Sequence, residues 1–217
     1  MDITWYGHSC FRIVERSQTT VVTDPYAYET LGLPELNLKG DVVTVSHDAP
    51  GHNAADAVKG AEHVLSGPGE YEIGGVFITG IPMHYVDEES GEARYNVAYR
   101  IEYTNNLTVL HPGDLSHVPD QTTIEALGEV NVVLMPVGGG NSLRAGMAAE
   151  VVAMIEPNYV IPMHYHMDGL SVELEPVEKF LKAMGISKVQ EEDTLRVTSS
   201  GLPEQPQVVV LSPQLKS

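Results

Sequence analysis

The stretch Asp41-Val42-Val43-Thr44-Val45-Ser46-His47, continued by Asp48-Ala49-Pro50-Gly51-His52, decides the fold. Residues 41–46 are rich in β-branched side chains, as in a buried strand, and the run ends at a histidine. Three further β-type runs end similarly: residues 75–83 at His84, residues 107–110 shortly before Asp114, and residues 158–163 at His164. Groups just beyond strand ends in layered α/β proteins are held rigidly and can converge on one crevice. Imidazole and carboxylate suit zinc, manganese or iron, so the pattern predicts a metal site in a hydrolase-like crevice.

Composition and length fit one globular domain over residues 1–217. A chain of 217 residues with 42% hydrophobic and 19% charged residues can bury a substantial core. The single cysteine, Cys10, excludes an intramolecular disulfide framework and suits a reducing compartment. Since Cys10 lies in an alternating run, we expect a small buried hydrophobic residue rather than a nucleophile.

Charge and hydropathy restrict the partners. A formal net charge of −18 argues against nucleic acid or an anionic membrane surface, because both would be repelled. The sequence shows neither a secretory leader nor an apolar stretch of membrane-spanning length. We therefore expect a cytoplasmic protein that acts on a small-molecule substrate or ligand.

The order of elements predicts an α/β fold. Strands come first as a meander and later alternate with helices, which favours two packed sheets with helices outside. We predict helices over residues 54–59, 119–127, 142–155 and 176–184, with Ser142 as the N-cap of the third. Residues 26–39 are predicted to form an irregular loop over one face, and residues 87–91 a hairpin tip.

The segment 47–52 resembles the metallo-β-lactamase superfamily, whose signature after this strand is H-x-H-x-D-H. Other segments follow in the same order as in a branch of small, uncharacterised Zn-dependent hydrolases. They are Trp5-Tyr6-Gly7-His8-Ser9-Cys10-Phe11-Arg12-Ile13, Thr23-Asp24-Pro25, Gly67-Pro68-Gly69-Glu70-Tyr71-Glu72-Ile73, His111-Pro112-Gly113-Asp114, Met135-Pro136-Val137-Gly138-Gly139 and Ile161-Pro162-Met163-His164-Tyr165. The resemblance implies a four-layer αββα sandwich with two mixed β-sheets flanked by helices.

The same resemblance implies a metal-ligand set. Carried over by position, His47, His84 and Asp114 match one metal site of the family, and His52, Asp114 and His164 match the other. Two positions depart from the pattern, because Ala49 stands where the second histidine belongs and Gly51 where the aspartate belongs. Each site has therefore lost one ligand.

We accordingly expect one ion rather than two, most simply zinc, with manganese or iron as alternatives. The residues His8, Asp48, His111 and His166 are predicted to surround the ligands as hydrogen-bond partners. Asp48, His166 or Asp168 could also compensate for the missing ligands. We expect His63 and His117 to lie outside the site.

The resemblance implies hydrolysis of an ester, amide, lactone or phosphoester by a metal-bound hydroxide, with Asp114 orienting it. The alternative is a degenerate, non-catalytic member that binds a small molecule or a partner protein in the old crevice. Ala49 and Gly51 favour the alternative, and the retained His47, His52, His84, Asp114 and His164 favour the enzyme.

Overall fold

A computed structural model describes residues 1–86, 91 and 93–215. Its strands, in chain order, are Asp2–Trp5 (β1), Phe11–Val14 (β2), Val21–Thr23 (β3), Leu38–Lys39 (β4), Val42–Thr44 (β5), Val58–Lys59 (β6), His63–Leu65 (β7), Gly69–Ile73 (β8), Val76–Pro82 (β9), Tyr85–Val86 (β10), Ala93–Arg94 (β11), Val97–Tyr103 (β12), Leu107–His111 (β13), Val132–Pro136 (β14), Tyr159–Met163 (β15), Gln190–Glu192 (β16), Leu195–Arg196 (β17) and Gln207–Leu211 (β18). The helices are Tyr28–Leu31 (α1), Gln121–Leu127 (α2), Ala145–Ile155 (α3) and Val177–Ala183 (α4), with a 3₁₀ turn at Ala55–Ala57.

Two mixed sheets carry the fold. The first has six strands in the order β17-β1-β2-β3-β5-β7, antiparallel as far as β3 and parallel from β3 to β7. The second has eight strands in the order β16-β18-β15-β14-β13-β12-β9-β8, parallel from β16 to β13 and antiparallel beyond. Two short pairs, β4 with β6 and β10 with β11, lie beside them.

The sheets pack face to face through alternating side chains. Phe11 and Ile13 of β2 join the same buried core as Tyr99 and Ile101 of β12. Because side chains alternate along a strand, Cys10 faces the other way and is fully buried in a second apolar cluster, as expected. The hydroxyl of Tyr99 donates to the carbonyl of Leu65 at 2.8 Å and so links the two sheets.

Outer layers cover both sheets. Every residue of β14 is buried, so both faces of the second sheet are covered. One face meets the first sheet, and the other is covered by helices whose buried residues include Val151 of α3 and Phe180 of α4. Residues 26–39 and α1 cover the outside of the first sheet, where Leu31 and Leu33 share a core cluster with Val43. The predicted four-layer αββα sandwich is therefore confirmed.

Several local predictions differ from the structure. Residues 54–59 form a 3₁₀ turn followed by β6 rather than a helix, and residues 26–39 contain α1 and β4. Helix α3 begins at Ala145, so Ser142 is not its N-cap. The predicted hairpin tip at 87–91 lies, apart from Gly91, outside the described residues. No helix in the described part of the chain is long and apolar enough to cross a membrane.

The topology brings four strand ends to one edge. Strands β3 and β5 are parallel neighbours in the first sheet, and β13, β14 and β15 are parallel in the second. Asp24 directly follows β3, His47 follows β5 after two residues, Asp114 follows β13, and His164 directly follows β15. Since the carboxyl ends of parallel strands meet at one edge, these side chains line a common crevice.

Candidate metal centre

A tight turn after β5 brings two histidines together. The backbone N–H of Ala49 donates to the carbonyl of His47 at 3.0 Å, and that of His52 donates to the carbonyl of Ala49 at 2.8 Å. The turn places the rings of His47 and His52 in contact, with centroids 4.2 Å apart. His52 is buried, whereas the side chain of His47 remains 20% exposed to the crevice.

The hydrogen-bond network assigns the ring proton of His47 and His52. The Ser46 hydroxyl donates to Asp24 Oδ2 at 2.6 Å, so its oxygen must accept from His47 Nδ1, 3.0 Å away. His52 Nδ1 donates to the same carboxylate oxygen at 2.8 Å. A neutral imidazole carries one N–H, so both rings are left with an unprotonated Nε2.

His164 is oriented in the same way by a different hydroxyl. Ser142 Oγ donates to the carbonyl of Gly139 at 3.0 Å and therefore accepts from His164 Nδ1 at 3.1 Å. This contact explains why Ser142 does not cap helix α3. The Nε2 of His164 is again left as an acceptor.

Three acceptor nitrogens thus converge on the Asp114 carboxylate. The distances to its oxygens are 3.3 Å from His164 Nε2, 3.5 Å from His52 Nε2 and 3.7 Å from His47 Nε2. Asp114 Oδ1 is buried and lacks a hydrogen-bond partner in the described structure. Lone pairs facing a carboxylate repel one another unless a cation lies between them, so the donor set fits a metal ion.

Burial and neighbouring charges shift the pKa values of these groups in opposite directions. Burial raises the pKa of Asp114, but the nearby His164, His52 and His47 outweigh it and hold that pKa well below its usual range. Burial, followed by the neighbouring His52, lowers the pKa of His47. Burial also disfavours the charged form of His52, but the carboxylates of Asp114 and Asp24 outweigh burial and raise the pKa of this histidine.

Asp24 is the buried anchor of the centre. It is fully buried, and its Oδ1 accepts from the backbone N–H of Ser46 at 2.8 Å. Burial raises its pKa, but His111, the hydrogen bond from His52 and that from Ser46 outweigh this and lower it. Asp24 therefore holds His52 and His47, the latter through Ser46, as partners around metal ligands usually do.

His8 lies inside the cluster rather than around it. Its Nε2 is 3.3 Å from His52 Nε2, and its ring centroid is 4.4 Å from that of His164. Potential ligand atoms of His8, His52 and His164 lie within 4.8 Å of one another, and so do those of His47, His52 and Asp114. Burial, then the neighbouring His164 and His52, lowers the pKa of His8 well below 6.5, so its ring is neutral.

Backbone strain concentrates at the same place. Six non-glycine residues of the described chain have positive φ, and three of them are His8 (49°), Asp24 (37°) and His164 (51°). Such conformations cost on the order of 1–3 kcal/mol and persist where the surrounding structure holds them. Their clustering marks this crevice as the functional site.

His84, predicted as a ligand, lies elsewhere. Met83 is buried and its N–H donates to the carbonyl of Asn96 at 2.7 Å, so the next residue points to the opposite face. His84 is exposed and packs its ring edge-on against Tyr95, with centroids 5.2 Å apart. It belongs to neither ligand group found among the described residues.

The structure places the other predicted partners both outside the site and beside it. Asp48 is exposed and accepts from Asn53 Nδ2, and His166 and Asp168 are exposed, so the structure does not place them among the ligands. His111 is buried with both nitrogens engaged: Nε2 donates to the carbonyl of Ser9 at 3.0 Å, and Nδ1 accepts from Gly113 N–H at 3.3 Å. It thereby braces the turn that carries Asp114.

His63 and His117 lie outside both ligand groups found among the described residues. His63 is exposed, and His117 stacks on Tyr85 with ring centroids 4.8 Å apart.

Sequence reasoning missed Asp24, Ser46, Ser142 and Asn96 as parts of the centre. Asn96 accepts from the N–H of Asp114 at 3.1 Å and donates to the carbonyl of Pro112 at 2.7 Å, which fixes the Asp114 turn. Asp24 had the same signal as the predicted ligands, a polar residue directly after a buried strand. From the sequence, Asp24 is named only within the Thr23-Asp24-Pro25 segment of the family resemblance and is assigned no role at the site.

Two adjoining pockets give access to the cluster. One, of about 350 Å³, is lined by polar residues including Arg94, Asn96 and Asn141. The other, of about 200 Å³, is lined by Ala49 and Gly51, together with Leu31. His47 and Asp114 line both pockets, so a small molecule entering either one meets the cluster.

Comparison with known proteins agrees with this geometry. A model of the β-lactamase superfamily domain matches residues 2–164. A UPF0173 protein of Pyrococcus furiosus is 31% identical over 206 residues, covering 85% of this chain and 90% of that protein. A UPF0173 metal-dependent hydrolase of Pyrococcus abyssi is 28% identical over 213 residues, covering 85% and 92%. The crystal structure of a Thermotoga maritima protein, assigned as a Zn-dependent hydrolase of the metallo-β-lactamase superfamily, is similar with a TM-score of 0.79, 33% identity and 97% coverage of both chains. The chain therefore belongs to the metallo-β-lactamase superfamily, in its UPF0173 branch of metal-dependent hydrolases.

Proposed function

We propose that this protein hydrolyses an ester, amide, lactone or phosphoester bond of a small molecule with the help of one zinc ion. The observation that carries the proposal is the convergence of three unprotonated Nε2 atoms on Asp114. Each of these rings is fixed through Nδ1 by a hydroxyl or a carboxylate, which is the arrangement that ligating histidines require.

His52, His164 and Asp114 lie at the centre of the cluster and would hold the ion. When bound, a divalent cation supplies Lewis acidity, which activates water near neutral pH and offsets charge developing on the attacked group. Zinc is proposed because the donors are mainly imidazole nitrogens, which suit it better than magnesium or calcium. One ion is proposed because Ala49 and Gly51 contribute no ligand atom.

The protein side chains supply orientation and proton transfer. His47 is neutral at pH 7 because burial lowers its pKa, and it lines both pockets, so it is placed to accept a proton from the crevice. Asn96 accepts a hydrogen bond from the backbone N–H of Asp114 and so fixes its position. The fixed Asp114 carboxylate would orient a polar group of a molecule bound in the crevice.

The crevice supports a small-molecule substrate. A volume of about 350 Å³ with mainly polar walls holds a metabolite-sized molecule, and Arg94 gives it one cationic side chain. The net charge of −18 argues against nucleic acid. We also place the protein in the cytoplasm, since its only cysteine is buried and reduced.

A substrate panel with a matched pair of variants tests this function. Protein loaded with Zn²⁺ is assayed with p-nitrophenyl acetate, a γ-lactone and bis(p-nitrophenyl) phosphate. We expect hydrolysis of at least one compound, about 100-fold slower in Asp114→Asn and unchanged in His63→Asn. Zinc-loaded protein that binds metal but cleaves no compound of these classes, on a wider panel as well, would favour the binding-protein alternative.

A further inference from the structure

His8 is held firmly against the buried side of the cluster. Its carbonyl accepts two hydrogen bonds, from Trp5 Nε1 at 3.0 Å and from the backbone N–H of His164 at 3.1 Å. The second bond ties the first sheet to the end of β15, so His8 and His164 are positioned together. This rigidity fixes the ring even though the backbone has a φ of 49°.

Only one nitrogen of the His8 ring has a hydrogen-bond partner among the described residues. It is 98% buried, and its Nδ1 has no hydrogen-bond partner in the described structure. Its Nε2 faces His52 Nε2, which the Asp24 bond leaves unprotonated. His111, by contrast, engages both ring nitrogens. Nδ1 is therefore left without a partner, and Nε2 points at a nitrogen that would itself hold the ion, so a cation shared by the two Nε2 atoms would explain this orientation.

The space beside Gly51 is taken by this ring. A Cβ built on Gly51 would lie 3.0 Å from His8 Nε2 and 3.3 Å from His8 Cδ2. The backbone of Gly51 has no positive φ, so it would accept a side chain, and only the imidazole opposes one. Position 51 is where the H-x-H-x-D-H signature has its aspartate.

We propose that His8 is a metal ligand in this chain, completing the set of His52, His164 and Asp114 where Gly51 supplies none. The inference rests on the proposed function for the presence of an ion, and it assigns that ion to the buried side of Asp114. His47, on the crevice side, is then left out of the ligand set.

Metal binding rather than hydrolysis tests the assignment. Dissociation constants for Zn²⁺ and Co²⁺ are measured by competition with a chromophoric chelator for the parent, His8→Asn and His47→Asn, with folding checked by circular dichroism. Asparagine is chosen because it tolerates positive φ. We expect His8→Asn to weaken metal binding more than about 100-fold, which exceeds the effect of losing a hydrogen-bond partner of a ligand. His47→Asn should weaken metal binding less than about 10-fold.

The Co²⁺ form gives a second readout. Ligating histidines show hyperfine-shifted ring N–H protons, and we expect one such signal to vanish in His8→Asn and all to remain in His47→Asn. The reverse pattern, in affinity or in spectra, would overturn the assignment.

The occupied space gives an independent test that leaves His8 in place. Gly51→Ala alone should weaken Co²⁺ binding, because the new Cβ would lie 3.0 Å from His8 Nε2 and displace the imidazole without supplying a ligand atom. The double variant His8→Asn/Gly51→Asp should bind more tightly than His8→Asn, because the carboxylate then reaches the ion. Unchanged affinity in Gly51→Ala would contradict the proposal even if His8→Asn failed to fold. Hydrolysis is not measured, so a protein that binds metal through His8 but cleaves nothing supports the assignment and defeats the proposed function.

Discussion

Replacing Asp24 by asparagine should weaken metal binding, although Asp24 is not itself a proposed ligand. In the parent, Oδ1 accepts from Ser46 N–H, and Oδ2 accepts from Ser46 Oγ and His52 Nδ1. If the oxygen of the asparagine side chain continues to accept from Ser46 N–H, the NH₂ group of the asparagine faces His52 Nδ1. That nitrogen must then become an acceptor, which moves the ring proton to Nε2, the atom that should bind the ion.

The size of the effect follows from the hydrogen bonds that the Asp24 carboxylate accepts. Removing the hydrogen-bond partner of a ligating histidine lowers metal affinity about 10–100-fold, which corresponds to about 1.4–2.7 kcal/mol of binding free energy. Two charge-assisted hydrogen bonds are also replaced, so the metal-free protein should lose roughly 3 kcal/mol of unfolding free energy. Because the folded-state pKa of Asp24 is lowered, this stabilisation is complete above the ordinary pKa of 3.8. It is lost as pH falls through the depressed folded pKa, where parent and variant should converge.

The assay is a chelator competition for Zn²⁺ near neutral pH, with urea unfolding of the metal-free proteins across a pH series. Asp120→Asn is the matched control, since it makes the same change at the exposed N-cap of α2, where Asp120 accepts from Thr123 N–H at 2.8 Å. We expect parent affinity in the control. A folded Asp24→Asn protein with parent affinity would refute the tautomer argument and mean that His52 does not bind through Nε2.

Three further outcomes are expected. Ser142→Ala should weaken Zn²⁺ binding about 10-fold, less than Asp24→Asn, because a neutral hydroxyl rather than a carboxylate orients His164; an effect as large as that of Asp24→Asn would contradict this ranking. His84→Ala should leave Zn²⁺ content after dialysis unchanged, since His84 is exposed beside Tyr95; loss of the ion would show that residues 82–86 fold over the centre. Tyr99→Phe should lower the unfolding free energy by about 1–2 kcal/mol in urea titrations without altering metal affinity, because its hydroxyl links the sheets by donating to Leu65.

Residues at the ends of buried strands could be predicted because a continuous apolar run shows where such a strand stops. His47, Asp114 and His164 all follow apolar runs, and the structure brings them together with His52. His84 also follows such a run, but the alternation of β9 breaks before it, since Pro82 is exposed and Met83 is buried. This shift by one residue turns His84 outward, which the resemblance alone did not reveal.

The position of His8 depends on tertiary contacts that no local pattern shows. It lies in a tight turn between β1 and β2, after Gly7 with a φ of 97°, and its own φ of 49° is set by bonds from Trp5 and His164. Ser142 was predicted as an N-cap because serine often begins helices. The helix instead starts three residues later, and the hydroxyl serves His164, a residue 22 positions away.

The two departures from the signature have different consequences. Gly51 lies against His8, so the buried side of Asp114 keeps a full set of donors. Ala49 lines the pocket of about 200 Å³, and His84 lies outside the ligand groups, so once His52 is counted on the buried side, the crevice side keeps only His47 and Asp114. Two protein ligands are fewer than the three that a catalytic zinc site usually has. In the proposed one-ion site, the space of the second ion stays open beside the first, next to His47 and the polar wall that includes Arg94 and Asn96. A substrate bound there would lie against the remaining ion, which is the arrangement that a one-metal hydrolase needs.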